Sequence, residues 1–147
     1  MHHTGGVSRF ALAFLAWSVW AQSSDPIPYA IGAPTLQEIW VDPVFGNDAN
    51  SGATRALALR TVSSAWGRIP IRTPLVNTGY RIQLVAGTYS ADDVPQYWEG
   101  RWGTYQNPVI LQAADAPGSA ILPGLNIYDT RFLYLIGFHV RTSGAEA

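Results

Sequence analysis

Apolar residues downstream of Gly79 recur at every second position, and this period constrains the fold more than any other feature of the chain. Residues 81–86 and 108–113 show it most clearly. Their apolar positions are Ile82, Leu84 and Ala86 in the first segment and Val109, Leu111 and Ala113 in the second. Because successive side chains of a strand point to opposite faces, each segment predicts a strand with one buried face.

The alternation continues along the chain at a regular spacing. Residues 125–128 and 132–136 predict further strands, and the pattern extends as far as Val140. About two dozen residues separate Val109 from Leu133, which is the length of one repeat in solenoid proteins. The sequence therefore predicts stacked repeats, each of which needs a neighbour to bury its apolar face.

A helical period precedes these strands. One face of the predicted helix carries Val62, Ala65, Trp66 and Ile69. Thr61 is placed to cap its beginning, and Pro70 ends it. Before the helix, residues 39–41 are a short β-prone run and residues 42–52 are rich in types that favour turns. We therefore expect a strand, then a long ordered turn, then a short helix.

The first 21 residues have the organisation of an export signal. Arg9 precedes an uncharged apolar run, residues 10–21, which is too short to span a bilayer and ends in small residues at a spacing that signal peptidase accepts. We interpret residues 1–21 as a secretory signal peptide, residues 22–38 as a leader, and residues 39–147 as the fold. The protein is therefore expected to be secreted or periplasmic.

Charge and composition exclude several classes of partner. The formal net charge is −1, and the nine basic residues are all Arg, scattered along the chain. Because no basic stripe could neutralise phosphates, we expect no nucleic-acid partner, and no membrane partner once the signal is removed. The chain has no Cys, so it forms neither disulfides nor thiol metal sites, and His139 alone is a poor metal site.

Several segments resemble the opening of the pectate-lyase-like right-handed parallel β-helix family. They are Trp40-Val-Asp-Pro43, Gly46-Asn-Asp-Ala-Asn-Ser-Gly52, Leu59-Arg-Thr61 and Tyr80-Arg-Ile-Gln-Leu-Val-Ala-Gly-Thr-Tyr89. Residues 108–113 and 132–138 are similar to the coils that follow. The resemblance runs from Ile39 to Val140. It departs from the family at residues 56–60, where a Pro and an aromatic residue are usual.

The resemblance implies an all-β fold, namely the start of a right-handed parallel β-helix with a short N-terminal capping helix. Family members run to several hundred residues, so the chain is expected to be a truncated, N-terminal portion. The family includes polysaccharide lyases, hydrolases and surface proteins without known activity. The resemblance therefore specifies the fold much more closely than the function.

For function, the resemblance implies an exported protein that acts on or binds polysaccharide, in the manner of a uronate lyase. Such lyases work by β-elimination with Ca²⁺ on the substrate carboxylate and an Arg or Lys as base. We assign no catalytic residue and no cofactor within this chain, and expect catalytic groups and Ca²⁺ only in a longer protein. The alternatives are a glycoside hydrolase, a non-catalytic carbohydrate-binding or surface protein, and a fragment without independent activity.

The most distinctive composition lies in residues 96–105, called here the aromatic segment. The predicted substrate-binding residues are Tyr97, Trp98, Glu99, Arg101 and Trp102. Aromatic rings bind the apolar faces of sugars, and charged groups bind their hydroxyls. The alternative is a loop folded over the end of a small core, with Trp98 or Trp102 packed on the capping helix.

Two groups of polar residues are weaker candidates. Asp42, Asn47, Asp48 and Asn50 offer the oxygen atoms that Ca²⁺ prefers, but their spacing does not match an EF-hand loop. Because such residues close turns, a structural turn is the favoured interpretation and no metal site is predicted. Asp92 and Asp93 could be a carboxylate pair of a hydrolase, although adjacent acids in a loop are more often solvated.

Overall fold

The computed structural model describes residues 31–142, so the predicted signal peptide and residues 22–30 of the leader lie outside the described residues. The strands are β1 (Leu36–Val41), β2 (Gly79–Leu84), β3 (Gly87–Thr88), β4 (Val109–Ala113), β5 (Ala120–Leu122), β6 (Leu133–Ile136) and β7 (His139–Val140). One α-helix, α1, comprises Val62–Gly67, and two 3₁₀ turns comprise Arg55–Leu57 and Ala91–Asp93.

The strands form two parallel sheets that share one core. The first sheet has the order β1-β2-β4-β6 and the second has the order β3-β5-β7. Equivalent apolar residues stand in register across the first sheet, so that Ile39, Ile82, Leu111 and Leu135 form one row. The core joins the inner faces of both sheets, because Ile82 and Leu111 belong to the same buried cluster as Leu122.

The prediction of a right-handed parallel β-helix is wrong. Residues 31–142 form two small separate sheets and one short helix, and no closed solenoid is found among them. Between the sheets there are only isolated bridges, which join Pro74 to Trp102, Trp102 to Arg131 and Trp98 to Ile127. A strand cannot form there because backbone at positive φ interrupts the extended chain, at Arg72, Gly100, Asp129 and Phe132. The strand predicted at residues 125–128 is reduced to the single bridge at Ile127.

The predicted helix and its cap are confirmed. The Thr61 hydroxyl accepts a 3.1 Å hydrogen bond from the Ser64 main-chain N–H, which satisfies one of the free donors of the first helical turn. Val62, Ala65 and Trp66 are the buried residues of α1. The helix packs against β1 and β2.

The turn-rich segment after β1 covers the outer edge of the first sheet. Trp40 N–H donates to the Gly52 carbonyl at 2.8 Å, and Leu59 N–H donates to the Trp40 carbonyl at 2.9 Å. Asp42 N–H donates to the Leu59 carbonyl at 2.8 Å. The N–H and carbonyl of Trp40, near the C-terminal end of β1, are therefore bonded within the chain.

Candidate functional site

The aromatic segment lies between two neighbouring stretches of chain. On one side, its Gly100 and Trp102 carbonyls accept hydrogen bonds from the Arg72 and Leu75 N–H groups, at 2.7 and 3.0 Å. On the other side, the Trp98 N–H donates to the Asn126 carbonyl at 2.9 Å. Residues 97–102 are thus held in place by main-chain bonds on both sides.

Trp98 is a core residue and does not reach the surface. Only 1% of it is exposed, and its ring packs edge-on against Trp66 of α1, with 5.1 Å between centroids and 67° between planes. Of the two alternatives for Trp98, packing on the helix is therefore confirmed. Its Nε1 has no hydrogen-bond partner among the described residues.

Arg101 is also buried, with 8% of the residue exposed. Its Nε donates to the Trp66 carbonyl at 3.0 Å, and its Nη1 donates to the Glu99 carbonyl at 3.1 Å. The guanidinium carbon lies 5.4 Å from the centroid of the Trp66 ring. Burial lowers the pKa of Arg101, while the Glu99 carboxylate acts in the opposite direction. The side chain of Arg101 therefore joins the aromatic segment to the helix and is not placed to touch a ligand.

Trp102 is partly exposed and is held by two residues that the sequence analysis did not assign to the site. The guanidinium carbon of Arg131 lies 4.1 Å from the centroid of the Trp102 ring. The Trp102 Nε1 donates to Asp129 Oδ1 at 3.2 Å. The indole is therefore fixed by a cation–π contact and a hydrogen bond, with part of its surface open to solvent.

Two exposed tyrosines lie on the same two stretches of chain as this pair. Tyr97 precedes the buried Trp98 in the segment, and Tyr128 follows the bridge at Ile127, with its N–H bonded to the Trp98 carbonyl at 3.0 Å. We define the aromatic face as Tyr97, Trp102, Tyr128, Asp129 and Arg131. Glu99, the remaining predicted residue, is partly exposed.

A shallow groove of about 480 Å³ begins beside Tyr97. Gln96 and Asn126 line it, and the Asn126 Nδ2 donates to the Gln96 carbonyl at 3.3 Å. Asp92 and Thr142 lie further along the same groove. A second depression, of about 360 Å³, shares Ala91, Pro123 and Thr142 with the first and extends to Arg141. Polar side chains therefore continue away from the aromatic face.

Two of the candidate Ca²⁺ ligands have structural partners. Asp42 Oδ1 accepts from the Val44 and Phe45 N–H groups at 2.9 Å, and Asn47 Oδ1 accepts from the Ala49 N–H at 2.9 Å. Both are turn contacts, as the favoured interpretation predicted. Within residues 31–142 no group of three or more His, Cys, Asp or Glu residues could hold a metal ion.

Asp93 does not form a catalytic pair with Asp92. Its Oδ2 accepts from the Ser90 N–H at 3.0 Å and from the Ser90 hydroxyl at 2.7 Å, which completes a capping box at the start of a 3₁₀ turn. Asp92 lies exposed in the groove described above. The two carboxylates therefore have separate surroundings.

Tyr128, Asp129 and Arg131 were missed because no motif marks them in the sequence. Residues 125–131 read as a short strand and a turn, and only the bridges to Trp98 and Trp102 bring them beside the aromatic segment. Pairing between distant segments, which a single sequence does not show, placed them in the site.

Comparison with protein-family models, with curated proteins and with solved structures gave no match to this chain. In the part of the chain from residue 31 to residue 142, no helix is long and apolar enough to cross a membrane.

Proposed function

We propose that this protein binds polysaccharide at the aromatic face and that its ligand is a chain containing uronate sugars. The observation that carries the proposal is the stacking of Arg131 on Trp102 at 4.1 Å. It puts a cation over a partly exposed indole on the outside of the protein. A uronate sugar has the complementary pair of features, a carboxylate and an apolar ring face.

The position of Arg131 favours binding of an anion. A guanidinium presents its N–H donors as a planar fork that fits a carboxylate. Neither of the two ion pairs found in residues 31–142 includes Arg131, so its charge is not neutralised by a carboxylate of an ion pair there. Because stacking on the indole restricts the side chain, less conformational entropy is lost when a ligand binds.

The remaining groups suit an extended sugar chain. Tyr97 and Tyr128 offer exposed rings on the same two segments as the Trp102–Arg131 pair, and the groove lined by Gln96 and Asn126 offers amide groups to hydroxyls. The proposal is limited to binding. Arg101, the one cation of the aromatic segment, is bonded to main-chain carbonyls, and no side chain is assigned as an acid or a base.

Affinity electrophoresis in gels containing polygalacturonate tests the proposal. We expect the full chain to be retarded, and Trp102→Ala and Arg131→Ala each to lose most of the retardation. Phe45→Ala is the matched control, because Phe45 is a strongly exposed aromatic residue outside the aromatic face. Equal migration of the wild type with and without polygalacturonate would refute the proposal, and so would an equal loss in the control.

A gel containing a neutral glucan separates the role of charge from that of the rings. Arg131→Ala is expected to reduce retardation by polygalacturonate far more than by the neutral polymer. Raising the salt concentration should weaken the polygalacturonate interaction of the wild type, because exposed charges are screened. A wild type that prefers the neutral polymer would contradict the assignment of uronate.

A further inference from the structure

The loop that leads from α1 into β2 forms a small pocket. Its volume is about 200 Å³, which is below the range typical of drug-sized ligands and suits a single small chemical group. Its wall is mostly apolar and is supplied by Pro70, Pro74, Leu75 and Val76. Tyr80, at the start of β2, also lines the pocket. We call this space the Tyr80 pocket.

Pro74 connects the Tyr80 pocket with the aromatic face. One parallel bridge pairs Pro74 with Trp102, and a second pairs Trp102 with Arg131. Side chains of residues paired in this way project to the same side of the neighbouring segments. Pro74 and Arg131 are exposed and Trp102 is partly exposed, so the three form one outward-facing row. A ligand on Trp102 therefore has Arg131 on one side and the wall of the pocket on the other.

Hydrogen bonds hold the wall of the pocket in place. The Leu75 N–H donates to the Trp102 carbonyl at 3.0 Å. The Leu75 carbonyl accepts from the Thr104 hydroxyl at 3.0 Å and from the Asn107 Nδ2 at 3.2 Å. The ring of Pro74, the residue before Leu75, fixes its own backbone φ. Because the wall is formed before a ligand arrives, little conformational entropy is lost on binding.

One hydroxyl in the pocket is free to bind a ligand. Tyr80 is only 9% exposed, and its hydroxyl has no hydrogen-bond partner among the described residues. The oxygen is not fully buried, so it faces into the pocket. By contrast, the hydroxyls of Thr73 and Thr78 donate to the Ile71 and Thr35 carbonyls, at 3.3 and 3.1 Å. The pocket thus offers a ligand an apolar wall and one uncommitted phenol donor.

We infer that the Tyr80 pocket receives an O-acetyl group of the bound polysaccharide, and this inference rests on the proposed function. An acetyl group has an apolar methyl for the wall of Pro70 and Val76, and one carbonyl that accepts from the Tyr80 hydroxyl. A bare sugar ring is a poorer occupant, because several of its hydroxyls would face apolar groups without a partner. Acetylation of a sugar hydroxyl leaves the uronate carboxylate charged, so Arg131 binds it at the same time.

Affinity electrophoresis with polymers of equal chain length tests the inference. The gels contain polygalacturonate, or polygalacturonate that is partly O-acetylated on its ring hydroxyls. We expect the full chain to bind the acetylated polymer about tenfold more tightly, through one added hydrogen bond and one buried methyl group. Methyl-esterified polygalacturonate should bind more weakly than the unsubstituted polymer, because esterification removes the carboxylates.

Tyr80→Phe removes the hydroxyl and keeps the ring in the core. It should lower the preference for the acetylated polymer about fivefold and leave the affinity for the unsubstituted polymer unchanged. Tyr105→Phe is the matched control, because Tyr105 is exposed and does not line the Tyr80 pocket, and it should keep the full preference. Thermal unfolding shows whether both variants fold.

The wild type alone can decide against the inference, whether or not the variants fold. If it binds both polymers equally, the inference is overturned while the proposed function stands, since polygalacturonate is still bound. A folded Tyr80→Phe that keeps the full preference also overturns it, and so does an equal loss in Tyr105→Phe. If neither polymer retards the wild type, the proposed function fails and the inference fails with it.

Discussion

The Nε of Arg101 donates a 3.0 Å hydrogen bond to the main-chain carbonyl of Trp66, and so joins the aromatic segment to the last turn of α1. The same carbonyl also accepts from the Ile69 N–H at 3.3 Å, and a cation beside the end of a helix is favoured by the helix dipole. A residue that the sequence suggested as a sugar contact thus acts as a connection between the helix and the candidate site.

Arg101→Met is expected to lower the free energy of unfolding by about 2 kcal/mol, because hydrogen bonds to a charged donor are lost while the hydrophobic part of the side chain is kept. Urea denaturation followed by tryptophan fluorescence measures the change. Arg60→Met is the control, since Arg60 is exposed and its guanidinium has no hydrogen-bond partner in the described part of the chain. Equal effects of the two substitutions would contradict this role for Arg101.

Trp98 is expected to tolerate a smaller ring but not its removal. Trp98→Ala should destabilise the protein by about 3–5 kcal/mol, because it leaves a cavity against Trp66. Trp98→Phe should lose much less stability, since an aromatic ring still packs there and the removed Nε1 has no described hydrogen-bond partner. Thermal unfolding of both variants tests the order, and a Phe variant as unstable as the Ala variant would refute it.

Asp48 should make stability dependent on acid pH. Burial acts to raise the pKa of Asp48, but hydrogen bonds from Thr61, Ser64 and Arg60 together lower it below the ordinary value of 3.8. A lowered folded pKa contributes stability that is present above the ordinary pKa and is lost as the pH falls through the folded value. We therefore expect the free energy of unfolding to fall less steeply below pH 3.8 in Asp48→Asn than in the wild type.

The control for this experiment is Asp92→Asn, because Asp92 is exposed and its carboxylate has no hydrogen bond among the described contacts. The free energy of unfolding of this control should change with acid pH as that of the wild type does. If the free energy of unfolding of Asp48→Asn also changes with pH as in the wild type, the hydrogen bonds around Asp48 do not stabilise its charged form.

Tyr89 should limit stability at alkaline pH. Its hydroxyl is buried and directed at the carbonyls of Val41 and Val85, at 3.1 and 2.9 Å. Burial, followed by the nearby carboxylates of Asp42, Asp115 and Asp93, raises the pKa of Tyr89 far above its ordinary value of 10.0. A raised pKa contributes stability that is fully present below pH 10.0 and is lost as the pH rises above it.

Spectrophotometric titration of tyrosine at 295 nm provides the measurement. In the wild type one tyrosine should ionise only together with unfolding, and Tyr89→Phe should remove that step. The same substitution is expected to lower stability near neutral pH by about 1 kcal/mol, through the lost hydrogen bond. A wild type whose tyrosines all ionise before unfolding would contradict the expected burial effect.

Local patterns in the sequence predicted local structure well. Alternation gave β2 and β4, and the helical period with Thr61 before it gave α1 and its cap. These succeed because side-chain period and capping depend on residues close together in the chain. The short strands β3 and β5 were not predicted, since two or three residues are too few to show a period.

The arrangement of these elements was predicted less well. The closed β-helix requires extended backbone between the two sheets, but residues such as Asp129 and Phe132 adopt positive φ there. In the site, composition identified the aromatic segment without showing which side chains are buried. Trp98 and Arg101 face the core, whereas Trp102 meets Arg131 on the surface. Both outcomes depend on contacts between segments, which the period of a single segment does not specify.

The covered edge of the first sheet also has a consequence for biosynthesis. The order β1-β2-β4-β6 in space is the order in which these strands leave the ribosome. The segment that covers β1 is made before β2, so each new strand finds its partner already present and no pairing waits for a distant C-terminal element. The chain can therefore assemble from its covered end outward, with a single unpaired strand in the first sheet at every stage.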